Sequence, residues 1–288
     1  MTKRYNSTED KSITSIDLKG TYLSIQISLD GFSFFIFEPD TATFIAQHTY
    51  RFKLKNRTPE ALLEEVETIF KENRLLQESY KKVTVLHDNS LVTLVPSEYF
   101  EEAHLKEYLK NNIKLLEDDH IAFDILENTN THVVYVPYVN INNLLFSSFG
   151  SFEYYHVSTL FLDLKNKNID KKNSSSCFIN CYDKSFDMVL YTDGKLNFFN
   201  RYEYSTATDF IYYILFALEQ NELDPNEIYV ELTGDIYKES DVYKMAYNYI
   251  RNLNFYNEEN TKLPESFSKL SKHENYSVLH QYETEIKN

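Results

Sequence analysis

The sequence TYLSIQISLDGFSFFIF at residues 21–37 decides the fold of this chain. In its first half, Leu23, Ile25 and Ile27 alternate with Ser24 and Gln26. Alternation of apolar and polar residues with a period of two is the pattern of a β-strand with one buried face. The stretch therefore begins with a half-buried strand.

A turn and a second strand follow at once. Asp30 and Gly31 predict a tight hairpin turn, because glycine tolerates positive φ and aspartate can hydrogen-bond to its own backbone. The run FSFFIF at 32–37 is nearly all apolar and predicts a return strand that is buried on both faces. A similar strand–Asp–strand unit recurs at residues 176–191. The recurrence predicts a fold built by duplication.

Composition and charge exclude several classes of protein. Hydrophobic residues make up 42% of the 288 residues, which is enough for a sizeable core and excludes a largely disordered chain. The net charge of −15 opposes binding to nucleic acid or to an anionic membrane, since both require clustered lysine and arginine. No apolar run approaches the roughly 18 residues that span a bilayer. We expect no nucleic-acid partner and no membrane insertion.

The N-terminus and the cysteines point to the cytoplasm. The sequence MTKRYNSTEDKS has no hydrophobic region of a signal peptide. The chain has two cysteines, Cys177 and Cys181. Four residues apart on a strand they would be about 13 Å apart, which is too far for a disulfide. We therefore expect a cytoplasmic protein.

The rest of the pattern gives two copies of one unit, each with three strands, a helix and a fourth strand. The first copy has strands at 23–29, 32–37, 44–52 and 82–86 and a helix that starts at Thr58-Pro59-Glu60; the second has strands at 177–182, 186–191, 196–204 and 228–232, a helix at 206–220 and a last helix from Ser240. Threonine at the N-cap, proline at the first position and an acid in the first turn are typical of a helix start.

Between the copies the pattern does not repeat. It predicts strands at 91–95, 121–126 and 133–136, an acidic helix opened by Pro96-Ser97-Glu98, and helices at 140–149 and 157–167. We predict a flexible tail at 1–19, a first lobe at 20–165 with an inserted subdomain at about 91–150, a linker near 166–176 and a second lobe at 176–288.

The duplicated unit resembles a known superfamily. Two copies of three antiparallel strands, a helix and a strand resemble the ribonuclease H-like core of the actin-like ATPases. The insertion, with LVPSEYFEEAHLKEYLK at 94–110 and VVYVPY at 133–138, is most similar to the pilus-assembly scaffold branch. The phrases LSIQISLDGFSF, TLVPSEYF and VVYVPYV resemble an uncharacterised bacterial family of unknown function with this fold. The resemblance covers roughly residues 18–255.

The resemblance implies an α/β fold: a duplicated ribonuclease H-like core of two lobes, with an inserted α+β subdomain in the first lobe. The resemblance further implies that two β-hairpins clamp the nucleotide phosphates in active members. Each hairpin carries an Asp, a Gly and a small hydroxyl residue. A Gly-Gly pair after a later strand holds the adenosine, and the aspartates hold Mg²⁺ through its waters. Phosphate oxygens need backbone N–H donors, and glycine lets the backbone approach closely.

The matching positions of this chain fit that pattern poorly. They are Asp30, Gly31, Asp183, Ser185 and Gly234. The bulky Phe32 follows Gly31, Lys184 stands where a glycine is expected, and the charge of Asp235 would face an anionic ligand. We interpret Asp30 and Asp183 as turn-forming residues and the site as vestigial.

No other catalytic or metal-binding pattern is present in the sequence. The eight histidines show no HExxH spacing, the two cysteines have no second pair to complete a zinc site, and no G-x-S-x-G or Walker-type loop occurs. The sequence thus predicts neither catalytic residues nor metal ligands.

The leading hypothesis is a non-catalytic scaffold or protein-interaction module with an unidentified protein partner, a degraded nucleotide cleft and no cofactor. The alternative is a divergent Mg-ATP-binding protein, a weak ATPase or a nucleotide switch, whose cleft the five matching residues would line. A third possibility, a sugar or small-acid kinase, needs a catalytic aspartate that the sequence does not single out. The oligomeric state is not indicated.

Overall fold

The computed structural model describes residues 3–54, 57–110, 115–116, 119–168, 175–256, 265–267, 271 and 273–281. The strands are β1 (Lys3–Glu9), β2 (Tyr22–Ile27), β3 (Gly31–Glu38), β4 (Thr43–Arg51), β5 (Lys82–His87), β6 (Val92–Pro96), β7 (Ala122–Leu126), β8 (Thr131–Tyr135), β9 (Glu153–His156), β10 (Ser175–Cys181), β11 (Ser185–Thr192), β12 (Lys195–Glu203), β13 (Tyr229–Gly234) and β14 (Asn252–Phe255). The helices are α1 (Pro59–Glu72), α2 (Leu105–Lys110), α3 (Val139–Phe149), α4 (Val157–Asn168), α5 (Ala207–Gln220), α6 (Asp241–Tyr249) and α7 (Tyr276–His280).

The first lobe is built on a sheet of order β1-β4-β3-β2-β5-β9. Strand β2 pairs antiparallel with β3 and parallel with β5, so the crossover between them is made by α1. The predicted start of α1 is confirmed: the Thr58 side chain accepts from the Ala61 N–H, and Pro59 is at the first turn. The buried face of α1, which includes Leu62 and Val66, packs against the sheet.

The second lobe repeats this topology. Its sheet has the order β12-β11-β10-β13-β14, which matches β4-β3-β2-β5-β9 strand for strand. Even an irregularity recurs: one extra residue interrupts the pairing of the third strand in each lobe, Ile45 in β4 and Asn197 in β12. The duplication that the sequence predicts is confirmed.

Helix α4 joins the two lobes through a shared core. Its residues Leu160, Phe161 and Leu164 are buried together with Phe178 of β10 and Val189 of β11. The second lobe therefore has helices α5 and α6 on one face of its sheet and α4 against the other. Two covered faces explain why β10 and β11 are buried along nearly their whole length.

Lysine 165 of α4 lies inside an aromatic cage at this junction. Its Nζ is 4.0 Å from the ring centre of Tyr276, 4.5 Å from Tyr256 and 5.2 Å from Phe178, and it is 2.6 Å from Oε1 of Glu231. Helix α4 belongs to the first lobe, Phe178 and Glu231 to the second, and Tyr276 to α7. One buried cation thus contacts three parts of the molecule.

The predicted flexible tail at residues 1–19 is wrong for residues 3–19, the part of it that the structure describes. Strand β1 pairs antiparallel with β4, and short 3-10 turns follow at Lys11–Thr14 and Leu18–Gly20. The segment is polar, but a strand at the edge of a sheet is held by backbone hydrogen bonds and needs no apolar alternation.

The predicted second lobe, 176–288, is wrong at its C-terminal end. Phe267 and Leu279 are buried against Phe35, Phe37 and Phe44 of the first lobe. Strand β3, whose residues 34–37 are all apolar and buried, has two faces to cover, and α1 covers one of them. The segment that contains α7 covers the other.

The inserted subdomain is a three-stranded antiparallel sheet, β6-β8-β7, with α2. The helix predicted to open at Pro96 begins at Leu105, and 3-10 turns precede it at Ser97–Tyr99 and Glu102–His104. The insertion also ends earlier than 150, because α3 packs on α1 within the first-lobe core. The linker predicted near 166–176 falls largely outside the described residues. Across those residues, no helix has the length and hydrophobicity that a membrane crossing requires.

Candidate functional site

The two lobes enclose a cleft of about 1120 Å³. Asp30, Gly31, Asp183, Ser185 and Gly234 all line it. The structure thus brings the five matching residues of the sequence to one place. Ordinary ligand pockets measure about 300–1,000 Å³, so the cleft is large enough to hold a ligand. Its chemistry decides which ligands it can accept.

The two hairpin turns are equivalent, but their aspartates are not. The turns close with the same backbone bonds, from Ser28 N–H to Gly31 O at 2.9 Å and from Tyr182 N–H to Ser185 O at 2.8 Å. In that register Asp30 matches Lys184, and Asp183 matches Leu29. The two lobes therefore present one carboxylate and one ammonium group where a symmetric Mg²⁺ site would need two carboxylates.

The carboxylate of Asp30 is bound by Arg57. The Arg57 guanidinium donates from Nη1 to Oδ1 at 2.5 Å and from Nη2 to Oδ2 at 2.9 Å. This hydrogen bonding holds the pKa of Arg57 above its usual value. A bidentate arginine occupies both carboxylate oxygens and neutralises their charge.

Gly31 and Gly234 are required by the backbone itself. A Cβ on Gly31 would be 2.6 Å from the Tyr50 carbonyl oxygen. Gly234 has φ +83°, and a Cβ there would be 2.0 Å from the Cys181 carbonyl oxygen. The Gly234 N–H also donates to the His273 carbonyl oxygen at 2.7 Å. These glycines are explained without a bound phosphate, and the N–H of Gly234 already has an acceptor.

The most buried of the arginine–aspartate contacts described at the cleft is centred on Arg201 of β12. Its Nε and Nη2 donate to the two carboxylate oxygens of Asp187 at 2.5 and 2.9 Å. Its Nη1 donates to Oδ1 of Asp88 at 2.9 Å and also to the Asn89 carbonyl oxygen. Asp187 belongs to the second lobe, whereas Asp88 and Asn89 follow β5 of the first. Arg201 therefore ties the lobes together across the cleft.

This contact is buried and hydrogen-bonded on all sides. The Asp187 side chain is 0% exposed, Arg201 5% and Asp88 9%. Asp187 also accepts from the hydroxyls of Ser158 and Tyr182, at 2.7 and 3.0 Å. Burial raises the pKa of Asp88, although Arg201 opposes that rise. Burial lowers the pKa of Arg201, but the two carboxylates hold it well above its usual value.

A second ion pair crosses the cleft with the lobes exchanged: here the arginine belongs to the first lobe and the aspartate to the second. Arg51 of β4 donates from Nη2 to Oδ2 of Asp235 at 3.0 Å, and both side chains are partly exposed. Asp88 directly follows β5 and Asp235 directly follows the matching strand β13. Each lobe thus offers an aspartate after its fourth strand to an arginine on the third strand of the other lobe.

Arginines already engage four carboxylates in or beside the cleft, those of Asp30, Asp88, Asp187 and Asp235. Within the described part of the chain, no group of three or more His, Cys, Asp or Glu side chains is placed to hold a metal ion. A Mg²⁺ ion would have to displace a guanidinium before it could reach any of these four carboxylates; Asp183 and Glu203 also line the cleft.

Sequence reasoning missed Arg201, Asp88, Asp187 and the Arg51–Asp235 pair. A signal for the aspartates was available, because an aspartate follows the fourth strand in both copies, in HD at 87–88 and GD at 234–235. The ends of equivalent strands meet at the cleft of a duplicated fold. No local pattern marks the arginines.

Asp124 of β7 anchors the inserted sheet to the start of α4. Its Oδ2 accepts from the Thr159 hydroxyl at 2.6 Å and from the His156 backbone N–H at 2.9 Å. Its Oδ1 accepts from the Tyr135 hydroxyl at 3.1 Å. Burial raises the pKa of Asp124 to about 7, although these hydrogen bonds oppose the rise. The carboxyl therefore titrates near neutral pH.

We expect Asp124→Asn to remove part of the pH dependence of stability. Between about pH 4 and 7 the folded chain binds the Asp124 proton more tightly than the unfolded chain does, so its contribution to stability is lost as pH rises through 7. The wild-type free energy of unfolding should fall relative to the variant by up to about 1.4 kcal/mol per pH unit in this range. Urea unfolding of both proteins from pH 4.5 to 8 measures the difference. Other buried groups, such as His87 and His156, titrate in both proteins and cancel; parallel pH profiles would contradict the assignment.

The fold and the cleft together define a class. The chain is a two-lobed protein of the actin-like ATPase fold, with duplicated ribonuclease H-like cores. A Bacteroides thetaiotaomicron protein with an actin-like ATPase fold and unknown function is similar to it, with a TM-score of 0.77, 21% identity and coverage of 92% of this chain and 98% of that chain. The structure of a PilM–PilN type IV pilus biogenesis complex is also similar, with a TM-score of 0.58, 14% identity and coverage of 92% and 97%.

The chain belongs to the family described as Protein of unknown function (DUF3822), which matches residues 10–253. No curated protein matches it. The resemblance to an uncharacterised family with an actin-like fold, and its distant similarity to a pilus-assembly protein, are thus confirmed.

Proposed function

We propose that this chain is a non-catalytic, cytoplasmic protein-interaction module on an actin-like fold, whose cleft does not take up a nucleotide. The observation that carries the proposal is the buried contact of Arg201 with Asp88 and Asp187, one carboxylate from each lobe. A guanidinium between two carboxylates supplies the positive charge that a metal ion supplies in a nucleotide site. The lobes are thereby joined without a ligand.

Two further contacts support a cleft without nucleotide. Arg57 covers Asp30 at the first hairpin, where the resemblance implies a phosphate and its metal. At the end of β13, where it implies adenosine, the Gly234 N–H is bonded to His273, and Glu274 and Ser277 of the same segment line the cleft. The chain's own groups thus engage positions that a nucleotide would need.

The partner that we propose for this chain is a protein. The net charge of −15 is unfavourable for nucleic acid. One protein of similar fold, PilM, has been solved in a complex with another protein, PilN. At 14% identity this supports use of the fold for protein contacts and gives no identity for the partner of this chain.

Thermal unfolding with and without millimolar Mg-ATP tests the proposal. We expect an unchanged midpoint, whereas a ligand at 100 times its dissociation constant would stabilise the folded chain by roughly 2.7 kcal/mol. The control is the double variant Asp30→Ala, Asp183→Ala, which should behave like the wild type. An upward shift in the wild type that disappears in the double variant would refute the proposal in favour of a Mg-ATP-binding ATPase or switch.

A further inference from the structure

Within the described part of the chain, the outer edge of strand β12 is open. In the second-lobe sheet β12 is the terminal strand, and among the described residues no strand pairs with its outer side. The matching strand of the first lobe, β4, is covered on that side by β1, which pairs with it antiparallel from Ala46 to Arg51. The same segment of β12, beyond the extra residue Asn197, is 198–203. The first lobe thus shows that this edge geometry accepts an antiparallel strand.

Backbone groups along this segment point outward at alternate residues. The Tyr204 N–H donates inward to the Lys184 carbonyl oxygen at 2.9 Å. Because N–H and C=O directions alternate along a strand, the groups of Glu203, Arg201 and Phe199 point away from β11. Unpaired edges of this kind are templates for another strand.

The side chains on the α5 side of the edge form a pattern that reads alike in both directions. Phe198 and Tyr202 pack with the second-lobe core, and the exposed Asn200 lies between them. An aromatic residue thus flanks Asn200 two positions away on either side. Two copies of this segment paired antiparallel about Asn200 therefore place an aromatic residue opposite an aromatic residue.

We propose that β12 pairs antiparallel with β12 of a second copy of this chain about a two-fold axis at Asn200. In that register the outward groups of Phe199 meet those of Arg201 of the partner subunit, which completes backbone hydrogen bonds on both sides of the axis. Phe198 lies opposite Tyr202 of the partner subunit, a favourable cross-strand aromatic pair. Asn200 lies opposite Asn200 of the partner subunit, and no like charges are placed opposite one another on this face.

Exposed aromatic rings beside the edge support the same occupant. Tyr213 of α5 stacks on Tyr202 with ring centres 4.9 Å apart, and Tyr212 and Phe216 continue the series at 5.5 and 6.1 Å. Tyr212 is 59% and Phe216 45% exposed. A two-fold axis perpendicular to the sheet places both α5 helices on the same face, so the two sets of rings face each other across the seam. An isologous dimer covers both sets at once.

Sedimentation velocity over a concentration series tests the dimer. We expect the wild type to dimerise and Asn200→Lys to raise the dissociation constant about tenfold or more, because two ammonium groups would face each other at the axis. The matched control is Asn254→Lys, on the exposed opposite edge of the same sheet, which should dimerise like the wild type. A wild type that stays monomeric, or an Asn200→Lys variant that dimerises equally well, overturns the proposal.

Salt dependence separates a second copy from a basic partner strand. Two chains of net charge −15 repel one another, so added salt should strengthen the dimer. Association that involves only another, basic protein and leaves the purified chain monomeric counts against the proposal.

A cysteine placed at the axis gives an independent measurement. Residues opposite each other at a non-hydrogen-bonded position have Cα atoms about 4.5 Å apart, within the range of a disulfide. Asn200→Cys should form a disulfide-linked dimer on mild oxidation, and Asn254→Cys should not. Cys177 and Cys181 are buried and do not compete. Equal crosslinking of the two variants overturns the proposed axis.

Discussion

Arg201→Met is expected to lower the free energy of unfolding by about 3–5 kcal/mol, because removal of one partner from a buried ion pair leaves uncompensated charge. Asp187 is 0% exposed and would keep only the hydroxyl groups of Ser158 and Tyr182 among its described partners. Asp88 would lose the arginine that opposes the rise of its pKa. The loss should therefore be smaller at low pH, where protonation removes the stranded charge. Urea unfolding at pH 5 and pH 8 measures both effects.

The double variant Arg201→Met, Asp187→Asn is the matched control for charge. It removes the cation and the most deeply buried carboxylate together, so it should recover part of the stability that Arg201→Met loses. If the single variant is as stable as the wild type, the contact does not hold the lobes together, and the structural basis of the proposed ligand-free cleft fails with it.

Lys165→Ala is expected to destabilise the chain by about 3–5 kcal/mol, since it removes a buried cation and opens space between aromatic rings. The variant loses the 2.6 Å contact of Lys165 with Glu231 and the ring contacts with Tyr276 and Tyr256. Glu231, whose side chain is 14% exposed, would retain the hydrogen bond from Tyr229. The measurement is urea unfolding, combined with hydrogen exchange at residues 276–280, where protection should fall first.

Lys165→Met separates the charge of this residue from its volume. Methionine has nearly the same length and no charge, so Lys165→Met should be less destabilising than Lys165→Ala, and Lys165→Met with Glu231→Gln less destabilising than Lys165→Met alone. Unchanged exchange at 276–280 in all three variants would show that α7 is held by its apolar contacts and not by the aromatic cage.

The duplicated core could be predicted because its signals are local. Alternation in β2, the Asp-Gly turn and the cap of α1 each involve neighbouring residues, and a threonine N-cap recurs at the start of α5. The fifth strands, β9 and β14, were not predicted. They have four residues each, EYYH and NLNF, which is too short for a period of two to stand out.

Long-range pairing accounts for the segments whose placement was wrong. Strand β1 is held by the backbone of β4 some forty residues away, and composition gives no trace of such bonds. The segment around α7 is polar overall, yet Tyr276 and Leu279 enter two cores of the molecule. The sequence does not show which face of β3 the helices leave uncovered, so it does not predict that the segment around α7 packs there.

The hairpin turns in the sequence predict where the cleft lies, but they do not predict what the cleft can bind. The five matching residues do meet there. What the cleft can bind depends on Arg201, which is 113 residues from Asp88 in sequence and sits on a strand with no distinguishing pattern. Its role depends on contacts between the lobes, and α4 lies in a buried core that includes residues of both.

The reciprocal ion pairs of the cleft constrain how the two halves can diverge in evolution. Arg51 and Arg201 do not occupy matching positions, because Arg51 corresponds to Glu203 and Arg201 to Thr49, one same-face step along the strand. The two halves thus place their arginines two residues apart on equivalent strands. The exposed Arg51–Asp235 pair contributes about 0–1 kcal/mol and can be lost in a lineage at little cost. Any single change in the buried Arg201 contact leaves a buried charge without its partner. We therefore expect mutations to accumulate more readily at the Arg51–Asp235 pair than at the Arg201 contact.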